Sequence, residues 1–182
     1  MKRMTAKEIL VESFRELAKE KNVDRITIKE IVNNCGYSVA TFYRNFKDKY
    51  DLIAWEYAEG TLEIIRRIDG VNHVFKQALI DSADRYDRER DYLKNLLLHT
   101  SGHDAFIQYM TDINYQAAEE LILSLSGEKS LDKISQMYVR IYALGTVCFT
   151  CEWILGNYKA TPKELADIYE NSLPEPLKKY LN

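Results

Sequence analysis

TIKEIVNNCGYSVATFYRNFKDKYDLI, residues 27–53, is the stretch on which the fold of this chain turns. Thr27 followed by Glu30 fits a capping box, in which a hydroxyl and a carboxylate reciprocally satisfy the orphan amides of a helix start. Ile28, Ile31 and Val32 continue with helical apolar spacing, and Gly36 is placed to end that short helix in left-handed backbone. Ser38 is an N-cap for a further short helix reaching about Phe46. Two short helices joined by a glycine-bearing turn, Cys35-Gly36-Tyr37, make a helix-turn-helix.

The second of these helices has two faces. Val39, Phe42, Tyr43 and Phe46 recur at i, i+3, i+4 and i+7, so Phe42 and Phe46 at least are expected to pack inward. Ser38, Ala40, Thr41, Arg44 and Asn45 point largely elsewhere, and such short polar groups with an arginine can reach base edges and phosphates in a major groove. Lys49 opens the next helix, whose free amides and charge suit a phosphate. The same spacing also fits a polar surface helix in a protein that never meets DNA. Charge distribution bears on the choice. The net charge is −3, yet residues 1–50 carry 11 basic against 7 acidic side chains, and the remainder 14 against 21. A basic head on an acidic body points to a polyanion met by the head alone.

Outward from this stretch the helix signals continue. Thr5 with Glu8 and Thr161 with Glu164 are further capping boxes, Asp48 with Asp51 is a carboxylate version, Ser130 is a plausible N-cap, and Pro162 suits a first helical position. Ala6, Ile9, Leu10, Ser13, Phe14, Leu17 and Ala18 line one face of a first helix. Further helices are expected at 48 to about 69, before Gly70, and at 72–86, 88–99, 103–126, 131–157 and 162–173, with a short helical turn at 175–181. The expected fold is all-α, about nine helices, with no strand pattern and no internal repeat. The length of 182 residues suits one domain, or a small module joined to a larger one. No apolar run approaches the roughly 18 residues of a membrane span. The N-terminus turns polar at once, and three cysteines do not suit a secreted disulfide scaffold, so the cytoplasm is the expected location.

Residues 27–53 resemble the N-terminal DNA-binding domain of the TetR family of bacterial transcriptional regulators. Thr27, Ile31, Gly36, Ser38, Thr41, Phe42, Tyr43, Phe46, Lys49 and Leu52 match that family's pattern. Cys35, Tyr37, Ala40 and Asn45 depart from it, the last two at groove-facing or flanking positions that bear on operator sequence rather than on activity. The clear resemblance covers about residues 5–55. The segment GTVCFTCEWILGNYKATPKELADIYENSLP, 145–174, is more faintly similar to the C-terminal part of regulators of dihydroxyacetone kinase operons.

The resemblance implies a DNA-binding domain at 1–49 and a helical effector-binding and dimerisation domain at 50–182. It implies phosphate contacts from Thr27, Ser38, Thr41, Tyr43 and Lys49, with Lys29 as a further candidate. It implies base contacts from Val39, Ala40 and Asn45, and leaves Arg44 open between phosphate and base. It implies a homodimer on a palindromic operator of double-stranded DNA, at the bacterial nucleoid, and most simply a repressor released by a small-molecule effector. The alternative is a regulator controlled by a protein partner with no natural small ligand.

In the larger part, the 131–157 helix is the most apolar. Its small Gly145 and Cys148 suit close approach across a two-fold axis, and the resemblance implies that this helix and 162–173 form the dimer interface. Ile141, Gly145, Cys148, Glu152, Leu165 and Ile168 are the interface candidates. The resemblance also implies a cavity among the central helices, with Trp55, Tyr92, Leu96, Phe106, Tyr109, Met110, Tyr138, Tyr142 and Glu152 as wall candidates, and Tyr57, Tyr86, His99 and Asn114 beside them. Each of these also reads as ordinary core, and Glu152 stays open between cavity and interface. Cys148 and Cys151 form a C-x-x-C deep in an apolar helix and read as small core residues. His99 and His103 are four apart across Thr100-Ser101-Gly102, which is expected to break the helix between them, and no metal site or cofactor is expected. No nucleophile–base motif or glycine-rich phosphate loop calls for an enzyme.

Overall fold

The computed structural model describes residues 3–68, 74–100 and 103–181. Among these residues there are ten α-helices and no strand. The head comprises α1 (Ala6–Ala18), a 3-10 turn (Val23–Arg25), α2 (Ile28–Cys35) and α3 (Val39–Asn45). The body comprises α4 (Lys49–Ile65), α5 (Phe75–Arg88), α6 (Arg90–His99), α7 (His103–Ser126), α8 (Lys133–Leu155), α9 (Pro162–Asn171) and α10 (Glu175–Leu181). α4 ends at Ile65 rather than near Asp69, and the following helix starts at Phe75, after an extended Val74, rather than at 72; residues 69 and 72 themselves lie outside the described residues.

Local chemistry sets most of these boundaries. Thr5, Thr27 and Thr161 each close a capping box with the glutamate three residues on. Ser38 accepts from the Thr41 amide and Asp48 from those of Tyr50 and Asp51. Gly36 ends α2 at φ 73° and Gly156 ends α8 at φ 91°, backbone that a side chain would strain. One cap differs from expectation. Asp132, not Ser130, starts α8, because its carboxylate reaches the amides of both Ile134 and Ser135.

Three apolar clusters hold the chain together. The head cluster joins Leu10 and Phe14 of α1, Ile31 and Val32 of α2, and Phe42 and Phe46 around α3 to Leu52 and Ile53 of α4 and Leu96 of α6. A middle cluster joins α5 to α9 around Trp153 and Leu165. A third gathers Ile122, Val139 and Leu177 at the far end, where α10 closes over α7 and α8. α4 belongs to both head and body and is the mechanical link between them.

A polar seam reinforces that link. The Arg15 guanidinium pairs with Glu56 of α4 and, at 3.0 Å, with Glu89 at the start of α6. Tyr92 donates to the second Glu56 oxygen at 2.6 Å, and the guanidinium lies over the Tyr92 ring. Asn95 of α6 donates to the carbonyls of Ala18 and Lys21 and accepts from the Val23 amide, so it caps the end of α1 from another domain element.

Candidate nucleic-acid interface and central cavity

α3 is a short helix whose position is set from beneath. Phe42 and Phe46 are buried, with ring centroids 5.9 Å apart, while Val39, Ala40, Tyr43 and Arg44 are exposed on the opposite side. Tyr43 is 57% exposed, its ring edge-on to Phe42 and its hydroxyl free to point outward. Ser38, Thr41 and Arg44 form a hydrogen-bonded run along the same surface. The Ser38 and Thr41 hydroxyls are 3.0 Å apart, and Arg44 donates to the Thr41 hydroxyl at 3.1 Å. Asn45, half-buried, donates to the Thr41 carbonyl at 2.8 Å, which leaves its amide oxygen available.

The start of α2 adds to this surface. Lys29 is exposed, and Thr27 is an exposed cap whose hydroxyl donates to Glu30. A hydrogen bond from Lys21, with the Thr27 amide and hydroxyl, holds the Glu30 carboxyl down to about 2. Because the folded value is depressed, this group's contribution to the head is present above the ordinary carboxylate range and is lost as pH falls toward 2. Lys21→Met is expected to raise the Glu30 value, and acid loss of α2 then begins at higher pH. An NMR titration of the Glu30 carboxyl in both proteins checks this; an unchanged value would remove Lys21 as the cause.

Lys49 corrects one expectation. Its ammonium donates to the carbonyls of Val23, Asp24 and Ile26 at 2.8–3.0 Å. All three donors are thus committed within the chain, and the side chain ties the α1–α2 connection to the start of α4 instead of standing free for a phosphate.

The body holds a partly open cavity of ≈ 160 Å³ between α4, α5, α6, α7, α8 and α9. Tyr92, Leu96, Phe106, Met110 and Tyr142 lie on its wall as expected from the sequence. Trp55, Tyr109, Tyr138 and Glu152 do not. Trp55 turns toward the head, where it packs on Phe46 and under the Lys7 ammonium. Tyr109 looks toward Asp51, Tyr138 packs in the far cluster, and Glu152 is exposed. The reason is helical phase: each of these side chains sits on a different face of its helix from the wall.

The polar wall includes Tyr57, Tyr86 and Asn114, as expected from the sequence, and Thr61, which sequence reasoning missed. Tyr57 and Thr61 stand one turn apart on α4, with Tyr86 of α5 beside them. Asn114 of α7 donates to the Tyr57 hydroxyl at 2.6 Å. Burial pushes the phenols of Tyr57 and Tyr86 up, so both stay neutral. At the cavity end nearest the head, Glu56, Glu89 and Tyr92 belong to both the wall and the Arg15 seam. Burial pushes the Glu56 carboxyl up, against the pull of Tyr92 and Arg15. The aromatic-rich segment 86–114 is the sequence signal that marks this wall, and a lone threonine at 61 adds nothing to it that a sequence could single out.

On the outside of α8, Ile134, Met137, Ile141, Leu144 and Cys148 recur at steps of three and four, the spacing of a helix-pairing seam. The first four are exposed, Ile141 to 67%, and Ile168 of α9 is exposed as well. At Gly145, in the same helix, an added methyl group would meet nothing within 4 Å. Leu165 corrects a second expectation: it is fully buried in the middle cluster, on the inner face of α9. The Cys148 and Cys151 thiols are free, and burial pushes Cys151 up to about 12, which makes it a poor nucleophile. Among the described residues no His, Cys, Asp and Glu group could hold a metal, and no helix is long and apolar enough to cross a membrane. The His103 side chain lies outside the described residues.

Two family profiles match the chain. One, described as bacterial regulatory proteins of the tetR family, covers residues 10–54. The other, a transcriptional regulator C-terminal region, covers residues 75–174. No curated protein sequence matches. Among solved structures, the chain is similar to the dihydroxyacetone kinase operon activator DhaS at 14% identity and a TM-score of 0.70, over 99% of this chain and 100% of that one. It is similar to the TetR family repressor AlkX from Dietzia sp. strain DQ12-45-1b at 17% identity and a TM-score of 0.61, over 100% of both chains. It is also similar to the transcriptional repressor FadR of Thermus thermophilus, solved with lauroyl-CoA, at 16% identity and a TM-score of 0.61, over 92% of each chain. At these identities the likeness shows the shared fold.

Proposed function

Because the chain belongs to the TetR family of DNA-binding transcription regulators, we propose that it acts as a homodimeric repressor, reading a palindromic operator through α3 and released by a small molecule in the body cavity. The observation that carries this reading is α3 itself. A helix anchored on buried Phe42 and Phe46, with an outer face of Val39, Ala40, Thr41, Tyr43 and Arg44, is built to enter a major groove. Ser38, Thr41, Tyr43 and Lys29 are the phosphate contacts, with Thr27 beside them. Val39, Ala40 and Asn45 are the base contacts, and Arg44 reaches either.

The α8 stripe, with Gly145 and Ile168, supports a two-fold contact that sets two heads apart for two half-sites. The largely apolar cavity with its few polar groups supports a small effector over control by a protein partner alone. The Arg15–Glu56–Tyr92 seam connects the two sites, since a molecule that shifts Tyr92 or Glu56 also shifts the hold on α1. Release then needs only that the effector bind the non-operator arrangement better than the operator-bound one.

The test is retention of genomic fragments on the purified protein, followed by titration of the enriched site against salt. A steep fall in affinity with salt is expected, as displacement of counterions from phosphates demands. Tyr43→Phe is expected to weaken every site alike, while Asn45→Ala changes sequence preference. A flat salt dependence, or loss of folding in both variants with no change in preference, would overturn the assignment of α3.

A further inference from the structure

On the cavity wall one buried polar atom makes no hydrogen bond of ordinary geometry to any of the described residues. Thr61 is 7% exposed, and its hydroxyl has no hydrogen-bond partner among the described residues. A helical threonine ordinarily returns its hydroxyl to the carbonyl one turn back, as Thr111 and Thr146 do here. Thr61 instead makes neither that bond nor any other of ordinary geometry among the described residues, and stands at the cavity wall beside the phenols of Tyr57 and Tyr86, whose upward shift its hydroxyl tempers. An unmet buried polar group is costly, so its retention on a ligand-sized cavity marks a contact waiting for a molecule.

The rest of the wall restricts what that molecule is. Most of it is aliphatic and aromatic: Ile64, Phe75, Leu79, Phe106, Met110 and Val147 among others. The ionised groups sit together at the head end, where Glu56 and Glu89 are already paired with Arg15, and Glu89 with Arg85 at 3.5 Å. Among the described residues no unpaired charge faces the centre, so a charged ligand would lose its hydration without a counter-ion. A volume of ≈ 160 Å³ is close to the roughly 150 Å³ of an apolar cavity known to take benzene.

We infer that the cavity takes a compact, uncharged molecule with an apolar ring or short chain and a single oxygen that hydrogen-bonds to the Thr61 hydroxyl. This rests on the effector reading of the cavity, and names the chemical class of that effector. Thr61 is the specificity-determining residue: it separates a ligand bearing the oxygen from the same ligand without it.

Calorimetry on the full chain without DNA, using benzyl alcohol, toluene, benzoate and benzylammonium, tests this. Benzyl alcohol is expected to bind about 3–10-fold more tightly than toluene, the gain of one net hydrogen bond. The two ions are expected to bind at least about tenfold more weakly than the alcohol. Thr61→Val keeps the shape and removes the hydroxyl, so it is expected to reverse the preference in favour of toluene. It also relieves an unmet group, and its Tm is expected to rise by about 2–4 °C or more. Thr61→Ser keeps the preference for the alcohol. Either ion binding as tightly as the alcohol, an alcohol-to-toluene ratio that Thr61→Val leaves unchanged, or no binding by any of the four would overturn the inference. None of these outcomes touches the salt-dependent retention of DNA, so the regulator reading stands or falls separately. Binding by the alcohol with no effect on the operator complex would sink the release step and leave the ligand class intact.

Discussion

Phe42→Ala is expected to abolish operator binding and to lower the stability of the head by about 3–5 kcal/mol, the usual cost of truncating a fully buried phenylalanine. Phe42 has no exposed surface and contacts Phe46 and Tyr43 directly beneath the outer face of α3. Its removal leaves a short helix of seven residues without its anchor, and helices of that length do not hold in water alone. The head cluster is distinct from the two body clusters, although α4 and α6 contribute to it. Hydrogen exchange is therefore expected to quicken across α1 to α3 while α7 and α8 keep their protection. Uniform loss of protection along the chain would show that head and body fold as one unit. Unchanged protection in α3 would remove Phe42 as its anchor.

Ile141→Asp is expected to convert the protein to a monomer and to weaken operator binding by roughly 10²–10⁴-fold, the gain that linking two half-site contacts supplies. Ile141 is the most exposed large apolar side chain of the α8 stripe, at 67%. An aspartate there would bury a charge against a second copy of Ile141, Met137 and Leu144, and a charge in such a seam is strongly unfavourable without a partner. In the isolated chain the same side chain meets solvent, so Tm measured well below the dimer's dissociation constant is expected to change little. Sedimentation velocity and a binding titration on the enriched operator read both effects. A dimer that survives the substitution would place the two-fold contact elsewhere.

The two largest effects come from residues of opposite legibility. Phe42 was readable: its spacing from Phe46, the Ser38 cap and the glycine at 36 are local features, and the structure carries all of them. The same holds for the capping boxes at Thr5, Thr27 and Thr161, where donor and acceptor are three residues apart in the sequence. The α8 stripe was only half readable. Apolar residues occur on two faces of that helix, and Gly145, Cys148 and Ile141 marked the outer one, but Ile134, Met137 and Leu144 were passed over. The cavity was least readable. Trp55, Tyr109, Tyr138 and Glu152 are candidates that lie off the wall, whereas Tyr57, Tyr86 and Asn114 lie on it, and Thr61, the polar group that most restricts a ligand, carries no sequence signal of its own.

By itself the sequence determined the helices, most of their caps, the helix-turn-helix and the family, because each rests on interactions within one turn or on a contiguous motif. Only the tertiary structure decided what the long-range partners decide. It placed Lys49 against three carbonyls of the α1–α2 connection and Asn95 over the end of α1. It put Leu165 inside and Trp55 with the head. It left Thr61 at a cavity wall without a hydrogen bond of ordinary geometry among the described residues. The physical reason is the same each time: helical periodicity says that a face is apolar, but which neighbour covers it, or whether a space is left, depends on how residues tens of positions apart pack together.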